Sequence, residues 1–143
     1  MTAESTQPVR VLVYSDDRNT REQVRLAIGK RPAADLPPFD FVECATQYAV
    51  LKQVDSGNAD RLDLLVLDGE AVPTGGMGLC RQLKDEIYRL PPVLVLTGRP
   101  QDAWLATWSR AEAALPHPID PITLTRTVVE LVRQRRASTL TRV

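Results

Sequence analysis

The chain has a single histidine, His117, and only two cysteines, Cys44 and Cys80, in 143 residues. One imidazole and two separated thiols cannot build a structural zinc site, and they form neither a disulfide framework nor a redox pair. Net charge is lacking as well: 18 basic residues balance 18 acidic ones. No global field therefore draws the molecule to nucleic acid or to anionic lipid. The start, MTAESTQP, has no apolar segment of the kind that begins a secretory signal, and no apolar run approaches the ~18 residues that cross a bilayer. A cytoplasmic address, with no transmembrane segment and no direct nucleic-acid partner, is the expectation. The locally basic stretch RQRRASTLTR complements the dipole at the end of the last helix.

What is present is an ordinary globular composition, 43% hydrophobic and 25% charged, and enough chain for one domain. Apolar runs of strand length alternate with helical periodicity. VRVLVYS (9–15), FDFVEC (39–44), LDLLVLD (62–68) and PPVLVLT (91–97) read as strands, with a weak fifth in AAL (113–115). The nearly continuous apolar runs suit strands covered on both faces of a parallel sheet. Helices are expected after Asn19 as an N-cap, over about 48–55, 77–88 and 102–109, and from Asp120 as a cap with Pro121 in the first turn. SGNAD (56–60) is turn chemistry, and TGGMG (74–78) reads as a flexible turn. Five β–α units predict a doubly wound, flavodoxin-like parallel sheet of order 2-1-3-4-5 with five helices. The expected domain covers residues 8–136, between a disordered tail over 1–7 and a C-terminal tail over 137–143.

In such a sheet the functional crevice lies at the carboxyl ends of the strands. Ser15, Asp16 and Asp17 follow the first strand, Asp68 ends the third, Thr97 ends the fourth, and His117 follows the fifth. Any one of these polar residues could merely cap a helix or seed a turn. Their joint placement, with Asp16, Asp68, Thr97 and His117 separated by 52, 29 and 20 residues, is a stronger signal.

The segments VLVYSDD, LLVLDGE, VLVLTGRP and LPHPID make residues 8–136 resemble the receiver domain of two-component response regulators. The resemblance implies that Asp68 is the phosphoacceptor for a histidine kinase and that Thr97 contacts the phosphoryl oxygens. It implies a Mg²⁺ site at Asp16, Asp17, Asp68 and the Glu70 backbone. A carboxylate nucleophile needs such cations to offset charge on the phosphoryl group.

Four departures weaken that chemistry. Ser15 replaces one acid of the metal-binding pair, with Asp17 just outside it, so Mg²⁺ binding is expected to be weak. His117 replaces the family's lysine, exchanging a fixed charge on a long stem for a conditional one on a short ring. It is expected to act as a polar plug in the phosphoryl-contact position. Ala114 replaces the switch aromatic. The loop after Asp68 places Ala71 and Val72 where Met-Pro is usual, with Pro73 one residue later.

The expectation is an atypical stand-alone receiver, not an enzyme and with no catalytic residues of its own. It would act by protein–protein binding, with weak or no phosphorylation switching, as a regulatory or accessory subunit of a larger assembly. The alternative is a conventional phosphorelay receiver phosphorylated on Asp68 by a histidine kinase. A small α/β enzyme or nucleotide binder is poorly supported, because the chain lacks a phosphate-cradling loop ending in Lys-Ser/Thr. Trp104 and Trp108, four apart on one helix face, with Arg126 and Arg133 nearby, are the candidate partner surface on the face of the fourth helix, fifth strand and fifth helix. One tryptophan is expected in the core, and Trp104 is expected to be the exposed one.

Overall fold

The computed structural model describes residues 7–55, 59, 61–99 and 102–141. The strands are β1 Val9–Tyr14, β2 Phe39–Cys44, β3 Leu64–Asp68, β4 Val93–Thr97 and β5 Ala113–Pro116. The helices are α1 Arg18–Ile28, α2 Gln47–Val54, α3 Gly76–Glu86, α4 Ala103–Ser109 and α5 Pro121–Thr141. All strands are parallel in the order β2-β1-β3-β4-β5, as the repeated β–α units predict.

Two-residue alternation along the strands divides the core into two layers. Val11 and Val13 of β1, Leu64 and Val66 of β3, and Leu94 and Leu96 of β4 face α1 and α5, meeting Val24, Ile28, Leu124, Val128 and Val132. The intervening Leu12, Tyr14, Leu65, Leu67, Val93 and Val95 meet α2 and α3 through Val50, Val54, Leu79, Cys80 and Leu83. Strands β3 and β4 are buried along their whole length, which explains their unbroken apolar sequence. Edge strand β5 alternates half-buried and exposed residues.

Several elements differ from the sequence expectation. Asp17, not Asn19, caps α1: its Oδ1 accepts the Asn19 N–H at 2.8 Å. Asp120 caps α5 as expected, accepting the Ile122 N–H at 3.2 Å. That helix continues to Thr141, so residues 137–141 extend it and are not a tail. Arg136 fixes the far end of α5 to the sheet by pairing its Nε and Nη2 with the two carboxylate oxygens of Asp63, each at 3.0 Å. Asp63 also accepts the Arg10 N–H at 3.0 Å. The tail expected over 1–7, but for Gln7, and the turn over 56–60, but for Ala59, lie outside the described residues. Among the described residues, no helix is long and apolar enough to cross a membrane.

Candidate functional site at the carboxyl edge of the sheet

Asp68 ends β3 and is 3% exposed. Burial of a carboxylate requires compensating donors. Three converge on it: Ser15 Oγ donates to Oδ2 at 2.7 Å, the Glu70 N–H donates to Oδ1 at 2.9 Å, and His117 Nε2 lies 3.0 Å from Oδ1. Both carboxylate oxygens are thus engaged. The third contact is satisfied without a charge when the imidazole carries its proton on Nε2.

The partners of Asp68 are themselves held. Ser15, fully buried at the end of β1, accepts the Asp17 N–H at 3.0 Å on its hydroxyl and the Arg21 guanidinium at 2.7 Å on its carbonyl. Arg21 in turn pairs with Glu43 at 3.1 Å, linking β1, α1 and β2. The His117 N–H donates to the Thr97 carbonyl at 2.9 Å, which ties the start of the β5–α5 connection to the end of β4. Thr97 is buried, and the β3–β4 register sets Asp68 opposite Leu96. Asp68, Thr97, Ser15 and His117, dispersed in sequence, therefore gather at one edge.

The remaining sequence-predicted residues are less centred. Asp16 is exposed and accepts the Val72 N–H at 3.0 Å, which draws the long β3–α3 loop toward β1. Asp17 is committed to the end of α1 and does not replace the missing acid. Among the described residues, no three His, Cys, Asp or Glu side chains are gathered as they would be to hold a metal ion. A hydroxyl at the end of β1, and an Asp68 carboxylate already bonded on both oxygens, do not fit a tightly bound Mg²⁺. Ala114 pairs with Val95 on the edge strand and presents only an exposed methyl.

The glycine-rich TGGMG segment is packed, not flexible. A Cβ on Gly76 would lie 2.6 Å from the Asp68 carbonyl oxygen, so α3 can begin against β3 only with glycine there. The preceding loop is pinned by Tyr14, whose hydroxyl donates to the Thr74 carbonyl at 2.5 Å. Thr74 Oγ1 then donates to Gln47 Oε1 at 3.0 Å. Burial, then the carboxylates of Asp16 and Asp68, push the Tyr14 hydroxyl pKa upward, so it stays a donor. The sequence signal for this anchor is a tyrosine closing an otherwise aliphatic buried strand, since its hydroxyl must find a partner. Glu70 was predicted through its backbone, but its side chain also matters. It lies across Gly98, where a Cβ would come 2.5 Å from the Glu70 carboxyl carbon.

The proposed partner surface divides. Trp104 is 66% exposed and Trp108 is 44% exposed, so neither fills the core as one was expected to. Trp108 leans toward α3, with the Arg81 guanidinium 5.1 Å from its ring and bonded to its carbonyl at 2.8 Å. Arg133 turns the other way and pairs with Asp35 at 2.8 Å. With Arg126 it lines a groove against Ala27 and Pro32 at the end of α1. Trp108 and these arginines line different grooves. The thiols of Cys44 and Cys80 are buried and pushed up to about 11, mainly by desolvation, which keeps them unreactive.

This constellation on a 2-1-3-4-5 sheet defines a receiver-type site. The chain is 58% identical over 130 residues to an uncharacterized response regulatory protein of Mycobacterium tuberculosis, Rv3143, covering 91% of this chain and 96% of that one. It is 34% identical over 91 residues to the response regulator MprA of Mycobacterium bovis, covering 64% of this chain and 35% of MprA. No protein-family model matches. Among solved structures, a CheY-like receiver domain protein from Methanospirillum hungatei superposes with a TM-score of 0.71 at 15% identity, covering 92% of this chain and 99% of that one. CheY4 of Vibrio cholerae does so with 0.69 at 20% identity, covering 87% and 99%. The chain belongs to the response regulator receiver family.

Proposed function

We propose that this chain is an atypical receiver that acts by binding another protein, with little or no dependence on phosphorylation, as a regulatory or accessory subunit of a larger assembly. The observation that carries this reading is the state of Asp68. Its oxygens are bonded to Ser15, His117 and the Glu70 N–H, with no lysine or arginine joined to it among the described residues. Phosphoryl transfer to a carboxylate builds negative charge that fixed cations must offset. Here the side chain joined to Asp68 Oδ1 is an imidazole, not a lysine. Mg²⁺ affinity is weak for the reasons of geometry already described. Ala114 also removes the side chain through which the pocket would move the α4–β5 flank. On this reading the chain acts in the cytoplasm and catalyses no reaction of its own.

The conventional reading, a phosphorelay receiver served by a histidine kinase, is favoured by one feature. Asp68 and Thr97 both survive, buried at the ends of adjacent strands.

The deciding experiment is a beryllofluoride titration followed by NMR, together with Phos-tag electrophoresis after treatment with acetyl phosphate. The proposal expects slow or undetectable modification and shifts confined to the neighbourhood of Asp68. Rapid, complete binding with shifts spreading over α4 and β5 would establish the conventional switch instead.

A further inference from the structure

Between the β3–α3 loop and α4 lies an open groove of about 480 Å³. Pro73, Met77 and Gly78 line its apolar part, Trp108 forms a wall, and Glu70 and Asp102 are the charged groups of its lining. It lies on the α3 side of α4, away from the α1–α5 groove that holds Arg126 and Arg133. From this groove we infer a docking site for a partner segment that presents an arginine or lysine beside an apolar side chain. The inference rests on the protein-binding reading above and names the partner's chemistry.

Charge decides the choice of occupant. Among the described residues, Asp16, Asp17 and Glu70 have no lysine or arginine within ion-pair distance. Elsewhere Asp35, Glu43, Asp63, Asp85 and Glu112 are each paired with a cation. Glu22, Asp40, Glu86 and Glu130 also have no ion-pair partner among the described residues, but both charged groups in the lining of this groove, Glu70 and Asp102, are acidic. Arg99 is bonded to Asp102 at 3.1 Å and also feels the Glu70 carboxylate, which is thereby offset only in part and has no ion pair of its own. The start of α3 contributes only about half a positive charge, less than the carboxylates along that edge.

The tryptophan already shows the preference. Arg81 stacks on Trp108 at 5.1 Å, so the ring attracts a guanidinium from within the chain. Met77 contributes a thioether that adapts to the shape of an apolar side chain. An apolar anchor would remove Trp108 from water, and an adjacent cation would meet Glu70 as the site desolvates.

The test is an NMR titration of the full chain with two blocked peptides, Ac-Leu-Arg-Phe-NH2 and Ac-Leu-Glu-Phe-NH2. The arginine peptide should shift the Gly69, Gly75 and Gly78 amides and the Trp108 indole, while the glutamate peptide should not. Trp108→Ala should weaken binding about tenfold, as truncation of an anchor does. Glu70→Gln should weaken it about threefold, as loss of a partly exposed pair does. Trp108→Phe, which keeps an aromatic wall, should bind in between and guards against misfolding of the alanine variant. Raising NaCl to about 0.5 M should weaken binding of the arginine peptide by screening.

Equal binding of the two peptides, shifts confined to the α1–α5 groove, or no shifts at all would overturn the inference. So would Trp108 shifts that follow dilution of the protein alone, which would assign the groove to a second copy of the chain. The arginine peptide should bind Asp68→Asn as it binds the wild type. Groove binding in the wild type that is lost in Asp68→Asn would uphold the groove and overturn the phosphorylation-independent reading, so the two failures are distinguishable.

Discussion

His117 Nε2 stands 3.0 Å from Asp68 Oδ1, and the two residues are 49 apart in the chain. The backbone beneath the ring is joined to the end of β4 by the His117 main-chain N–H, which donates to the Thr97 carbonyl at 2.9 Å. A lysine there would carry its charge on a mobile stem; the imidazole is short, ring-shaped and fixed by its neighbours. It engages one carboxylate oxygen of Asp68 directly.

Replacing His117 with lysine should therefore not restore switching by itself. The new cation would strengthen beryllofluoride binding, but Ala114 still offers only a methyl to the α4–β5 flank. Amide shifts on beryllofluoride addition should grow around Asp68 in His117→Lys and remain small over β5. Broad shifts through β5 and α4 in that single variant would show that transmission does not need the aromatic.

Magnesium should bind only at millimolar concentration, because Ser15 supplies a hydroxyl where the family has a carboxylate. Ser15→Asp should tighten binding about tenfold or more by adding a charged oxygen ligand. Tryptophan fluorescence or NMR shifts during a Mg²⁺ titration measure this. Sub-millimolar affinity in the wild type would contradict it.

Two glycines of α3 should respond to alanine in opposite directions. A Cβ at Gly76 would meet the Asp68 carbonyl oxygen at 2.6 Å, so Gly76→Ala should lose about 1–3 kcal/mol through overpacking. A Cβ at Gly78 meets nothing within 4 Å, so Gly78→Ala should gain about 0.5–1 kcal/mol from reduced unfolded-state freedom. Urea unfolding compares them directly.

Alkali should destabilise the fold before it titrates arginine. Burial raises Cys44 and Cys80 from 9.0 to about 11, and it raises Tyr14 above 10.0. Each group is protonated in the folded state at a pH where the unfolded chain has released its proton. Their contribution is complete below pH 9.0, the lowest of the unfolded values, and is lost as pH rises through the folded ones near 11. Urea midpoints should fall steadily between those limits, and Cys80→Ala should flatten the fall while lowering stability at neutral pH. At pH 8, with a thiol pKa near 11, only ~0.1% of either thiol is ionised, so Ellman's reagent should react slowly without denaturant.

If partner binding is constitutive, Trp104→Ala should weaken the complex by about 2 kcal/mol, as truncation of an exposed aromatic anchor does. Asp68→Asn should leave it nearly unchanged. Calorimetry with the co-purified partner separates this from a phosphorylation switch, in which the sensitivities would be reversed.

By itself the sequence determined the fold class, the strand order and the edge where chemistry gathers. The reason is that these follow from local periodicity and from the repeated β–α unit: buried parallel strands must be continuously apolar, and the polar residues that end them must meet at one side. Asp68, Thr97, Ser15 and His117 could be found in this way because each closes or follows a strand. The tertiary structure decided matters that depend on residues distant along the chain. Whether Trp108 enters the core was settled by Arg81, 27 residues away, and the direction of Arg133 by Asp35, 98 residues away. Asp17 was drawn to the α1 end by an N–H needing a partner, and the glycines before α3 were fixed by the approach of that helix to β3. Helical periodicity places two tryptophans on one face, but only the packing of α4 against α3 determines what that face meets.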